Sequence, residues 1–163
     1  MQSGCLPEEQ TLTEQDDRLA WRLERRVLPQ HTDHAGVMWH GAYLAWLEEA
    51  RVEALQQAGL AYADLSGRGL ELPVVNLSIQ YKQSLLHGDR VELWSWVLPR
   101  EGVKLPWRSE FRCGGKVAAE ARVELVLLGR SEGHGTAKLL RRPPADLQSA
   151  LERLRRGPVA DQH

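Results

Sequence analysis

One acid, three histidines and a glycine fall in a single short stretch: His31, Asp33, His34, Gly36 and His40. Directly behind them runs Gly41-Ala-Tyr-Leu-Ala-Trp-Leu-Glu-Glu-Ala-Arg51, built almost wholly of helix formers. Polar groups where a loop becomes a helix are held in place by the rigid element behind them. A carboxylate such as Asp33 can serve as a nucleophile or as a base that activates water. The first turn of a helix offers N–H donors without intrahelical acceptors, suited to a developing oxyanion. The combination fits attack on an activated carbonyl. A plainer reading makes Asp33 an N-cap and nothing more. His40 can act through its ring or through its backbone N–H, and His31 and His34 read as solvated or structural. As metal ligands these four side chains match no common spacing.

The elements that must position this stretch can be read outward from it. Tyr43, Leu47, Ala50, Ala54 and Ala58 repeat at helical spacing, with Leu44 and Leu55 beside them, and Gly59 is a natural stop. A short helical piece at Ala61 to Leu65 leads into a turn at 66–69. Before the helix, Leu19, Trp21 and Leu23 alternate with Ala20, Arg22 and Glu24, and Val27 keeps the phase, in strand period. After Pro73 the chain is strand throughout. Val75, Leu77, Ile79 and Tyr81 share one face, Val91 to Leu98 form a second strand, and Val103 to Cys113 a third, with Pro106 suggesting an edge or bulge. Gly114-Gly115 is a hairpin turn. It leads to a fourth strand whose apolar face is Val117, Ala119, Ala121, Val123, Leu125 and Leu127. A loop at 129–135, a basic run at Lys138 to Arg142 and a helix from about Ala145 to Arg156 follow. One long helix and one five-stranded antiparallel sheet, each with a single apolar face, bury those faces by the sheet wrapping the helix: an α+β fold with an added C-terminal helix. Residues 1–17 read as an acidic, loosely attached tail. Residues 18–163 read as one domain, with a helical extension from about 143. A sheet that covers one helix leaves edges for a second copy, so a homodimer is expected at least.

The totals exclude several classes. A net charge of -1 over 163 residues gives no field that would draw nucleic acid or an acidic membrane. No apolar run reaches the roughly 18 residues of a membrane helix, so no membrane partner is expected. Cys5 and Cys113 are the only cysteines and stand in no C-x-x-C, which fits a reducing cytoplasm. There is no G-x-S-x-G nucleophile elbow, and Gly67-Arg68-Gly69 is too short for a phosphate loop.

The segment HTDHAGVMWHGAYLAWLEEAR resembles the hotdog-fold acyl-CoA thioesterases of the 4-hydroxybenzoyl-CoA thioesterase type. Thr32-Asp33, Gly36-Val37, Trp39, His40, Tyr43-Leu44, Trp46, Glu48 and Ala50-Arg51 carry the likeness. LPVVNLSIQYKQSLLHGDRVEL extends it, with Tyr81 and Gly88-Asp89 in register, so that it spans about Trp21 to Leu128. His31 departs from the pattern, standing where many members carry the first acid of a D-x-D pair.

The resemblance implies a hotdog fold and hydrolysis of a small or aromatic acyl-CoA, with 1,4-dihydroxy-2-naphthoyl-CoA one substrate in that range. Asp33 would be the nucleophile or general base, and a backbone N–H at His40 or its neighbours the carbonyl donor. Thr32, Gly36, Val37, Trp39 and Tyr43 would contact substrate. No cofactor or metal is implied, since coenzyme A belongs to the substrate. The site would lie at the subunit interface of a homodimer or homotetramer. Two other functions remain open on the same fold: an enoyl-CoA dehydratase or isomerase, and a non-catalytic acyl-CoA-binding module.

Overall fold

The computed structural model describes residues 15–130 and 135–158. In chain order the elements are β1 (Trp21–Arg26), α1 (His40–Gln57), α2 (Tyr62–Gly67), β2 (Leu70–Glu71), β3 (Val74–Tyr81), β4 (Arg90–Val97), β5 (Lys104–Cys113), β6 (Lys116–Val126), β7 (Leu128–Gly129), β8 (Lys138–Leu139) and α3 (Ala145–Arg155). Five strands form one antiparallel sheet in the order β1-β4-β5-β6-β3. Its inner face packs on α1, which buries Ala42, Tyr43, Trp46, Leu47, Ala50, Ala54 and Leu55. Each large side chain buried there contributes roughly 1.5–3 kcal/mol. This is the hotdog arrangement read from the sequence.

Two bulges change which residues face the helix. Between Val74 and Asn76 the register with β6 slips, so Val74 pairs with Leu125 and Val75 is the extra residue, 52% exposed. Between Phe111 and Arg112 a second slip pairs Arg112 with Val117 and Phe111 with Ala119. Ala118 is the residue passed over, and its carbonyl accepts the N–H groups of Lys82 and Gln83. Val75 and Val117 therefore leave the alternation expected of them, because period 2 holds only while the ladder is unbroken.

Pro106 lies in the central strand, not at an edge. Its carbonyl accepts from Leu98 just beyond the last β4–β5 pair, Val97 with Trp107, so its missing N–H falls where the ladder has ended. The loop expected at 129–135 and the basic run after it contribute β7 and β8, which join β2 in a small second sheet. Residues 131–134 of that loop lie outside the described residues.

Part of the outer face of the sheet is covered too. Trp94 and Trp96 are buried there with Ala20, and the Trp96 indole donates to the Asp16 carbonyl at 2.9 Å. The Arg22 and Arg112 guanidiniums both stack on Trp94, 3.7 and 3.9 Å from its ring centre. Asp16 and Asp17, expected in the loose tail, are thus pinned to the sheet, with Asp17 also bonded to Arg112. Residues 1–14 of that tail lie outside the described residues. Among the described residues no helix is long and apolar enough to cross a membrane.

Candidate active site

Between β1 and α1 the chain makes a tight loop with its own hydrogen bonds. Thr32 bridges Met38, and the Asp33 N–H donates to the Val37 carbonyl at 2.8 Å. The Asp33 carboxylate turns back into the same loop: Oδ1 accepts from the N–H of Ala35 at 2.8 Å and of Val37 at 3.1 Å. Gly36 makes this turn possible at φ +76°, a conformation most side chains resist. The far side of the loop is fastened to the segment after β3, through Met38 to Leu85 and His87 to Gly36.

Asp33 is therefore no N-cap. The residue capping α1 is Trp39, and no side chain bonds the helix start. The N–H groups of His40 and Gly41, as the first two of the helix, have no intrahelical acceptor. Asp33, with Oδ2 left out of the loop's bonding, and the start of α1 open on one cavity of about 440 Å³. Val37, Trp39, His40 and Tyr43 line it from the loop and helix, and Tyr81 and Gln83 from β3 and its exit.

The aromatic side chains around the cavity are set by packing. Trp39 is 45% exposed, and its ring lies across the first turn of the helix, where a Cβ at Gly41 would come within 2.2 Å of it. His40 packs edge-on against Trp39, centroids 5.2 Å apart. Tyr43 is held edge-on between Tyr81 and Phe111 at 5.1 and 4.9 Å. Burial, followed by the neighbouring Tyr81, pushes the Tyr43 phenol up to about 12, so it stays a neutral hydrogen-bond donor across the working range.

Thr32 and Gly36, expected to contact substrate, are placed in the loop's frame. The Thr32 hydroxyl donates to the Pro29 carbonyl at 2.8 Å, and neither residue lines the cavity. His31 is tied into the loop: its Nδ1 accepts from the Leu28 N–H at 3.0 Å, and its ring packs edge-on against Trp46. His34 is exposed in the turn. Among the described residues no group of His, Cys, Asp or Glu converges as metal ligands would.

The model of the thioesterase-like superfamily matches residues 27–151, which include the loop, α1, the whole sheet after β1 and most of α3. The chain belongs to that superfamily. The hydrolase reading of the sequence stands with it. A Synechocystis sp. protein named as an esterase is 35% identical over 153 residues, covering 93% of this chain and 89% of its own length. The 1,4-dihydroxy-2-naphthoyl-CoA hydrolase of Prochlorococcus marinus is 30% identical over 128 residues, covering 72% of this chain and 83% of its own. In structure, the DHNA-CoA thioesterase of Staphylococcus aureus superposes with a TM-score of 0.72 at 26% identity, over 83% of this chain and 90% of that one.

Sequence reasoning passed over Lys82, Gln83 and Ser84, which line the cavity on the β3 side. A signal was there: three polar residues interrupt the apolar pattern directly after Tyr81. It read as a strand end because nothing local shows that this exit meets the loop before α1. The contact is made by Leu85, Leu86 and His87, whose partners lie some fifty residues earlier in the chain.

Proposed function

We propose that this chain is an acyl-CoA thioesterase in which Asp33 performs the chemistry and the start of α1 holds the thioester oxygen. The observation that carries the reading is that an uncapped helix N-terminus and the Asp33 carboxylate open on the same cavity. Oδ1 is spent on orienting the carboxylate, and Oδ2 is left to attack the carbonyl or take a proton from water. Both routes end in an acid and a free thiol. As the tetrahedral intermediate forms, its oxyanion is received by the N–H of His40 or Gly41, and a donor so placed is worth about 2.7–4 kcal/mol. The thiolate departs with little protonation, so no dedicated acid is needed beside Asp33.

The exposed indole of Trp39 and the ring of Tyr81 suit a flat acyl group, in keeping with the substrate named for the Prochlorococcus and Staphylococcus relatives. A 1,4-dihydroxy-2-naphthoyl-CoA or similar aromatic thioester is the substrate class favoured. Coenzyme A enters only as part of the substrate, and no cofactor takes part.

The working unit is a homodimer, or a pair of dimers, with the site at the interface. Support comes from the seam between α1 and the edge strand β3. Leu44, Tyr62, Val74, Val75 and Tyr81 are all more than 40% exposed along it, an apolar patch of the kind a partner covers. The test is release of free thiol from a panel of acyl-CoAs by the wild-type chain and by Asp33→Asn. Wild-type turnover with loss in the variant supports the reading. Equal turnover in the two removes Asp33 from the mechanism, and tight binding without thiol release would make the chain a binding module.

A further inference from the structure

Helix α3 is fastened at both ends and buries Leu147, Ala150 and Leu154 in the core, leaving a groove along one side. At its start the Arg68 guanidinium bonds both oxygens of Asp146, at 2.7 and 3.1 Å. At its end the Trp21 indole N–H donates to the Leu154 carbonyl at 2.8 Å, and Arg153 donates to the Ala58 carbonyl behind α1 at 3.1 Å. Between these clamps lies a cavity of about 230 Å³. Leu55, Leu105, Trp107 and Leu125 form its floor, and Leu151 and Leu154 its lid. On one side Arg100, Glu152 and Arg155 are exposed, so the space is a groove open to solvent there. An apolar cavity of about 150 Å³ already accepts a benzene ring. The larger space under α3 has room for a chain of several methylenes.

The mouth of the cavity is cationic. Arg100 and Arg155 stand at its rim, and Arg141 and Arg142 directly precede Pro143 in its wall. Arg100 donates to the Gly102 and Arg141 carbonyls. The one acid at the rim, Glu152, is drawn toward Arg156, 3.8 Å away. Three of the cavity's residues, Leu55, Leu72 and Leu125, also wall a second cavity of about 240 Å³ that reaches Val74 on the β3 edge.

We propose that the space beneath α3 binds the chain of a free fatty acid, with its carboxylate at the arginine-lined mouth. An apolar floor with a cationic rim selects an amphiphile of this kind over a neutral hydrocarbon or a polar metabolite. The site is separate from the Asp33 cavity: from His40 to Leu55 helix α1 runs about 22 Å, farther than a ten-carbon chain reaches.

One titration on the full chain tests this. A ten-carbon fatty acid brominated midway along its chain is added while tryptophan emission is followed. Trp107, in the floor, should be quenched, and Leu151→Phe, which fills the cavity, should weaken binding about tenfold or more. If Leu151→Phe does not fold, Leu151→Ala replaces it, and the preference should move to longer acids. No quenching of the wild type up to millimolar acid, or quenching that the Leu151 variant leaves unchanged, overturns the proposal.

Discussion

Asp33 and Val37 are joined by two hydrogen bonds in opposite directions. The Asp33 N–H donates to the Val37 carbonyl at 2.8 Å, and the Val37 N–H donates to Asp33 Oδ1 at 3.1 Å. One side chain thus shapes the loop and presents a free oxygen to the cavity. Substitutions separate the two duties. Asp33→Asn keeps an oxygen acceptor for Ala35 and Val37 but removes the charge, so the melting temperature should hold while kcat falls about a hundredfold or more. Asp33→Ala removes the acceptor as well, and about 1 kcal/mol for each lost bond should lower the melting temperature too. A calorimetric scan beside a thiol-release assay reads both.

Gly41 exists to make room for Trp39. A Cβ at position 41 would meet the indole at 2.2 Å, so Gly41→Ala must push the ring off the helix start. Alanine itself favours a helix interior over glycine by about 1 kcal/mol. Activity and stability therefore move apart: kcat/KM on an aromatic acyl-CoA should fall severalfold, with little or no loss of melting temperature. A shifted emission maximum for Trp39 would report the displaced ring. Unchanged kcat/KM with a shifted ring would show that Trp39 does not touch the acyl group.

Most of the fold was legible because it depends on local periodicity. The α1 stripe at Tyr43, Leu47, Ala50 and Ala54 and the strand alternation at Leu77, Ile79 and Val123 hold in the structure. What escaped depends on long-range pairing. The bulges that turn Val75 and Val117 out of phase arise where β3 and β5 pair with β6, and nothing in either strand alone marks the slip. The cover over Trp94 and Trp96 was not legible either, since Asp16 and Asp17, which help supply it, lie in a stretch of plain tail composition. In the site, the motif singles out Asp33 and Gly36. That Asp33 leaves α1 uncapped, and that Gln83 lines the same cavity, are facts of three-dimensional placement.

Tyr43 gives the chain an alkaline liability. Its phenol ionises at about 12 in the folded protein and near 10 in an unfolded chain. Below pH 10 both states keep the proton and pH has no effect through this group. From pH 10 to 12 the unfolded chain gives up its proton first, so stability falls as pH rises. Allowing for partial solvent screening, the loss is about 1–2 kcal/mol. Tyr43→Phe has no proton to lose. Denaturant midpoints at pH 9 and pH 11 should therefore differ less for the variant than for the wild type, and an equal drop in both would place the liability elsewhere.

Val75 tests the oligomer without touching the site. It is the extra residue of the β3 bulge, 52% exposed, so a charge there costs the single chain little. On an apolar edge that meets a second copy, the same charge is buried without a partner, which costs several kcal/mol at each symmetric contact. Wild-type protein should sediment as a dimer or tetramer and Val75→Lys as a species of half that mass or less, with the same circular dichroism spectrum. Activity decides whether the interface completes the site. If the partner supplies part of the substrate's binding surface, kcat/KM should fall with dimer population and recover as protein concentration is raised. Sedimentation of Val75→Lys at the wild-type mass would move the interface away from β3, and a monomeric variant with full activity would confine the site to one chain.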